Sequence, residues 1–249
     1  MLKKEYPWKT EKEYYELQSK DLFGHVDEVP FYHAGFIGQS GDEFADYLIK
    51  ESGVNEQSKV VDFGCGTGFF VNKLNQICYA EGISNSEECV KASQLNFPTN
   101  IFKLENMETY TGRNMTHCFC LETLFYSDIE NTFKNANKVL VDGGILFIKE
   151  WFDICDNEKK VANREQFENF FKYYPQTMDR VKEVASKNGF EIVEVKDISQ
   201  MINPEFFIKS IKYHLHEITE FVDIYDEESG GRPYVNSYQL KFKKIITKN

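Results

Sequence analysis

Between residues 60 and 70 the chain reads Val60-Val61-Asp62-Phe63-Gly64-Cys65-Gly66-Thr67-Gly68-Phe69-Phe70. An apolar run that ends in an acid and meets glycines at alternate positions predicts a short buried strand entering a tight turn. Phe70, Leu74 and Ile77 then recur at helical spacing. Glycine lets strand and helix pack closely and lets a ligand approach the backbone, which a Cβ would prevent. Alternate glycines also make plain turns. Asp62 favours the ligand: a dinucleotide turn usually has an apolar residue there and offers its glycines to a pyrophosphate, whereas an acid suits a ligand with a cationic amino group.

The rest of the chain is organised around this strand and turn. Ser40 and Glu43 are spaced as a capping box, Phe44, Tyr47 and Leu48 form an apolar stripe behind it, and Gly53 ends that helix. Strands are predicted over 77–83, 101–104 and 117–121, with a helix capped by Ser86 between the first two. A helix over 129–140, capped by Asp128, leads to a glycine turn at Gly143-Gly144 and a buried strand ending at Ile148. Residues 150–174 have no clean period. A helix over 177–188 stops at Gly189 and yields a strand over 190–195. A further helix is predicted from Pro204 to about residue 218, then a loop over 225–234 and a closing strand with Tyr238, Leu240 and Phe242 alternating. This alternation predicts an α/β sheet with helices on both faces.

Composition removes several classes of function. A formal net charge of −11 over 249 residues leaves no positive field to attract phosphate backbones, so nucleic acid is not an expected partner. The N-terminus lacks a signal-peptide core and no apolar run approaches spanning length, which predicts a soluble, cytoplasmic protein with no membrane partner. The cysteines form no C-x-x-C pair and read as reduced core thiols; Cys118 and Cys120 share one strand face, where packing is the expected role and a metal or redox role the alternative. The histidines, His214-x-His216 included, form no ligand set, so no metal is expected. Nothing in the sequence bears on the oligomeric state.

The string D-F-G-C-G-T-G-F-F resembles the first motif of class I S-adenosylmethionine-dependent methyltransferases. Val139 to Ile148 resembles the V-L-x-P-G-G-x-L-x-I element of that family, with Asp142 in place of proline. The resemblance, to the small-molecule type, covers roughly residues 31–200. It implies a Rossmann-like, seven-stranded, mostly parallel sheet whose last strand is antiparallel, in a single domain over 1–249. It also implies an N-terminal helical lid over 1–40, acceptor-pocket insertions over 150–175 and 203–236, and S-adenosyl-L-methionine as cofactor.

By the same resemblance, Asp62, Gly64, Cys65 and Gly66 hold the methionine end. Residues 31–41 are similar to the segment that folds over the cofactor in phosphoethanolamine N-methyltransferases, cyclopropane-fatty-acid synthases and geranyl diphosphate methyltransferases. That puts Tyr32 and Ile37 against the cofactor; a plain aromatic cover over the core is the alternative. G-I-S-N-S over 82–86 looks like the variant of those relatives in which Ser84 and Asn85 meet the ribose, with Glu81 a weaker alternative. Glu105, Asn106 and Met107 resemble the adenine element, Asn106 aligning with its acid. Leu121, Glu122 and Tyr126 resemble the fourth motif, which delivers residues to the transferred methyl; Glu122 and Tyr126 are the catalytic candidates, with tyrosine where a histidine often stands. A surface acid and a packed tyrosine are the plain alternatives.

The absence of N-P-P-Y or D-P-P-Y after the fourth strand tells against exocyclic base amines and glutamine amides as acceptors. Segments outside the motifs are rich in aromatics interleaved with Asp and Glu, which suits a cationic amine. N-methylation of a small-molecule amine is therefore the expected activity. The alternatives are O- or C-methylation of a neutral aromatic or prenyl metabolite, or a non-methylating cofactor-binding protein of the same fold.

Overall fold

The computed structural model describes residues 41–153, 174–201 and 235–246. Tyr32, Ile37, the expected lid, the helix expected from Pro204, His214, His216 and most of the two expected insertions lie outside them. The elements in chain order are α1 (Gly41–Ser52), β1 (Lys59–Phe63), α2 (Phe69–Leu74), β2 (Tyr79–Ser84), α3 (Glu87–Asn96), β3 (Ile101–Leu104) and β4 (Met115–Leu121). After a 3-10 turn (Leu124–Tyr126) come α4 (Ile129–Val139), β5 (Leu140–Asp153), α5 (Met178–Lys187), β6 (Phe190–Asp197) and β7 (Val235–Lys244).

The strands form one seven-stranded sheet in the order β3-β2-β1-β4-β5-β7-β6. Strands β1 to β5 pair in parallel, and β7 is antiparallel to both its neighbours. Side-chain alternation sends Val60, Phe119 and Phe147 to one face, where Phe44 and Leu48 of α1 and Phe70 and Leu74 of α2 cover them. Val61, Cys118, Cys120, Leu146, Ile148, Leu240 and Phe242 face the other way, against Phe133 and Val139 of α4 and Val181 and Val184 of α5. Helix starts follow the caps read from sequence: Ser86 Oγ accepts from Cys89 N and Asp128 from Asn131 N. Among the described residues no helix is long and apolar enough to cross a membrane, and no group of three His, Cys, Asp or Glu is placed to hold a metal.

Two local expectations are corrected. Helix α2 stops at Leu74 and leaves Ile77 exposed, because the Asn75 side chain accepts from Ala80 N at 3.0 Å and donates to Ala80 O at 3.1 Å, tying the helix end to β2. Strand β5 runs unbroken through the glycines and on to Asp153. Gly143 takes φ 74 within the strand, and a register shift against β4 between Met115 and His117 absorbs the irregularity. Past Ile148 the charged pair Lys149 and Glu150 disguises the strand, but pairing with β7 carries it on through Lys149↔Gln239 to Asp153↔Val235.

His117 on β4 is buried, stacked on Phe119, with its Nδ1 2.9 Å from Thr116 Oγ1. Burial pulls its pKa down from 6.5 to about 4. Between those values the unfolded chain takes up a proton that the folded chain refuses, so this residue removes stability as pH falls from 6.5 toward 4, by about 3 kcal/mol at most. Asp62 works in the opposite direction: burial pushes it up from 3.8 to about 7, so its contribution is present below 3.8 and lost as pH rises through 7. The two slopes oppose each other, so the test is a difference. His117→Phe should gain about 3 kcal/mol on wild type between pH 7 and pH 4 in urea denaturation; a difference constant with pH would mean that His117 titrates normally in the fold.

Candidate active site

Strand β1 lies between β2 and β4: the chain steps outward from β1 to β2 and β3, then crosses back to place β4 on the other side of β1. Open α/β sheets take ligands at such a switch point, in the crevice beyond the carboxyl ends of the strands. Because β1 to β4 are parallel, Asp62 and the glycine loop, Ser84 and Asn85, the loop 105–111 and the turn 122–126 all meet at that end.

The glycine loop is pinned from three sides. Gly64 N and Cys65 N both donate to Ile83 O, each at 2.9 Å. Gly64 has φ 84, and a Cβ on it would lie 2.3 Å from Thr123 Cγ2, while Thr123 Oγ1 donates to Phe63 O at 2.6 Å. Gly68, at φ 87, abuts the Phe102 ring, where a Cβ would come within 2.6 Å. These two positions admit only glycine, for both conformation and space. Cys65 turns its side chain onto Gly82, so it offers a ligand backbone rather than sulfur; burial, aided by the Asp62 charge, pushes its thiol pKa up. Gly66 also takes a positive φ, 51.

Asp62 is 3% exposed, and its Oδ1 has no hydrogen-bond partner. A buried oxygen without a donor is costly and needs a reason. At the end of β1, beside the glycine loop, it fits a ligand that brings its own cationic donor.

The residues beyond β2 and β3 are partly engaged within the protein. Ser84 Oγ accepts from Ser86 N at 3.1 Å, and Asn85 is exposed. Glu81, the alternative ribose acid, is buried and accepts from Tyr79 Oη at 2.7 Å, Lys103 Nζ at 2.8 Å and Tyr110 Oη. Asn106 closes a local turn, its Oδ1 accepting from Glu108 N at 2.7 Å. Glu105 N donates to Ser84 O at 3.0 Å, and Met107 is half-buried against the core, its carbonyl accepting from Asn135 Nδ2 at 2.8 Å.

At the end of β4, Leu121 is buried and Glu122 takes a left-handed conformation with φ 55. An L residue with a long side chain is strained there, by roughly 1–2 kcal/mol. Two bonds to β5 hold it: Glu122 N donates to Lys149 O at 2.7 Å, and the Glu122 carboxylate pairs with Lys149 Nζ. Lys149 is fully buried, 5.0 Å from the Trp151 ring centroid and 5.9 Å from that of Phe44. Next to it, Glu150 Oε1 accepts from Leu124 N at 2.6 Å. Tyr126 is half-buried, packed against the core beside this turn. Sequence reasoning missed Lys149 and Glu150; their signal was two adjacent charges at the end of an apolar strand.

The pattern of the Methyltransferase domain family matches residues 61–148, from β1 into β5. The seven-stranded, mostly parallel sheet around them has the Rossmann-like methyltransferase fold. It is 25% identical over 221 residues to a sterol 24-C-methyltransferase of Kluyveromyces lactis, covering 80% of this chain and 59% of that protein. It is 24% identical over 206 residues to a phosphoethanolamine N-methyltransferase of Plasmodium falciparum, covering 78% and 76%. The crystal structure of a geranyl diphosphate C-methyltransferase from Streptomyces coelicolor A3(2), with S-adenosyl-L-homocysteine bound, shares the fold at TM-score 0.72 and 14% identity, over 97% of this chain and 100% of that one. The chain spans 45% and 59% of two of the sterol methyltransferases it matches.

The Glu122–Lys149 pair is open to a direct test of stability. Removing one partner of a buried pair leaves an uncompensated charge. Lys149→Met is expected to lower the unfolding free energy by about 3–5 kcal/mol, and adding Glu122→Gln to recover most of it. Urea denaturation decides; a double variant no more stable than the single one would mean that Lys149 acts through packing on Trp151 and Phe44.

Proposed function

We propose that the chain transfers a methyl group from S-adenosyl-L-methionine to a small-molecule acceptor. The observation that carries this reading is Asp62, a buried carboxylate lacking a partner on one oxygen, beside a glycine loop at the switch point of a methyltransferase sheet. When bound, the cofactor supplies a methyl on a sulfonium centre. The protein's part is to bind and orient. Asp62, Gly64, Cys65 and Gly66 would receive the methionine end, Ser84 and Asn85 the ribose, and Glu105, Asn106 and Met107 the adenine. Leu121 would border the sulfonium, and Tyr32 and Ile37, outside the described residues, would close over it.

For the acceptor, the Glu122–Lys149 pair favours a neutral molecule over the amine expected from sequence. A free carboxylate at this strand end would draw an ammonium group, but the Glu122 carboxylate already has a countercharge in Lys149. On this reading Glu122 holds the shape of the turn, and Tyr126, at the end of the 3-10 turn that follows, would be the hydrogen-bonding group toward the acceptor. The likeness to a sterol C-methyltransferase agrees with a neutral acceptor. N-methylation of an amine is the second reading, favoured by the likeness to a phosphoethanolamine N-methyltransferase.

Two experiments test these statements. Calorimetry with S-adenosylhomocysteine should show affinity rising about tenfold per pH unit from pH 5 to 7, with a proton released, then levelling as Asp62 ionises unaided. Asp62→Asn should bind weakly with no such slope; tight, pH-independent binding by that variant would remove Asp62 from the site. An acceptor panel of prenyl and sterol alkenes, phenols, and primary to tertiary amines, read by S-adenosylhomocysteine release, tests the second. Neutral members should turn over fastest, and a preference for amines would restore the N-methylation reading.

A further inference from the structure

We propose that Glu81 and Tyr110 tether the loop 105–111 to β2, making Glu81 a positioning residue for the adenine end of the cofactor rather than its ligand. The inference rests on the cofactor reading above. Glu81 lies mid-strand with its carboxylate buried, paired in register with Val61 on one side and Ile101 on the other. Burial alone would raise its pKa, but hydrogen bonds from Lys103, Tyr110 and Tyr79 outweigh that and hold it below the usual carboxylate range. The acid is therefore ionised, with two donors on Oε1 and one on Oε2. Ribose hydroxyls would have to displace these donors.

Those donors come from three places. Tyr79 belongs to β2 itself and Lys103 to β3, whereas Tyr110 closes the loop that leaves β3. Its ring is 1% exposed, edge-on to Phe63 at 5.8 Å, with Lys103 Nζ 5.6 Å from its centroid. A Cβ on Gly112 would come within 1.9 Å of Tyr110 Oη, so the chain can turn past the ring only with glycine there. The loop is fixed elsewhere through its backbone: Glu105 N donates to Ser84 O at 3.0 Å, and the Asn135 side chain donates from Nδ2 to Met107 O at 2.8 Å and Tyr110 O at 3.1 Å. Tyr110 Oη is the bond that ties the far end of the loop to the strand beside the glycine turn. It sets how far 106–109 stand from the β2 end, and so the width of the adenine slot.

Two variants separate positioning from general stability, because each removes one hydrogen bond to the same carboxylate. Tyr110→Phe keeps the ring and cuts the tether; Tyr79→Phe leaves the tether intact. Tyr110→Phe should weaken S-adenosylhomocysteine and 5′-methylthioadenosine alike, by about tenfold or more, with Tyr79→Phe within about twofold of wild type. Hydrogen exchange of amides 105–111, without ligand, should quicken in Tyr110→Phe only. Thermal denaturation of the same samples shows whether both remain folded. Equal binding losses in the two variants, or none in Tyr110→Phe, would overturn the positioning role while the cofactor reading survives. Wild type that binds neither ligand would overturn both.

Discussion

The structure depends most on the contact between Gly64 and Thr123. The end of β1 and the turn after β4 approach so closely that no side chain fits at position 64, and in that space Thr123 donates to Phe63 O. This one hydrogen bond joins the two loops that flank the switch point. Because the turn is also fastened to β5 through Glu122 N, the Glu122–Lys149 pair and Leu124 N, the glycine loop inherits the rigidity of three adjacent strands. A ligand cradle built this way needs little reordering on binding, which is where much of the cost of association otherwise lies. Strain at Glu122, with φ 55, is tolerated because the surrounding bonds over-determine it.

How much of this was legible in the sequence follows from how local each signal is. Glycine spacing, helix caps at Ser86 and Asp128, and the alternation of strand and helix act over a few residues, and the sheet formed as those patterns imply. Pairings between distant residues carry no such mark. That Lys149 would face Glu122 depends on the parallel register of β4 with β5, in which Leu121 meets Lys149, and no period in either strand encodes it. The length of strand β5 is hidden for the same reason: the charged pair Lys149 and Glu150 interrupts its apolar run, and it is pairing with β7, far along the chain, that carries the strand on to Asp153. Glu81 was visible as an acid on a strand, but its saturation depends on Tyr110, 29 positions away.

Three acids near the same end of the sheet show why residue identity alone does not assign a role. Glu81 is surrounded by donors and stays ionised with its hydrogen-bonding capacity largely filled. Glu122 is paired with a buried lysine, so its carboxylate is already engaged within the protein. Asp62 alone of the three has a buried oxygen with no donor, and burial without compensation raises its pKa to about 7. Unmet capacity, rather than acidity, marks the position where a cationic ligand gains most, since its arrival supplies both the countercharge and the missing hydrogen bond. On the proposed reading, the acid beside the glycines is the one that would face the ligand, and the other two would build the walls around it.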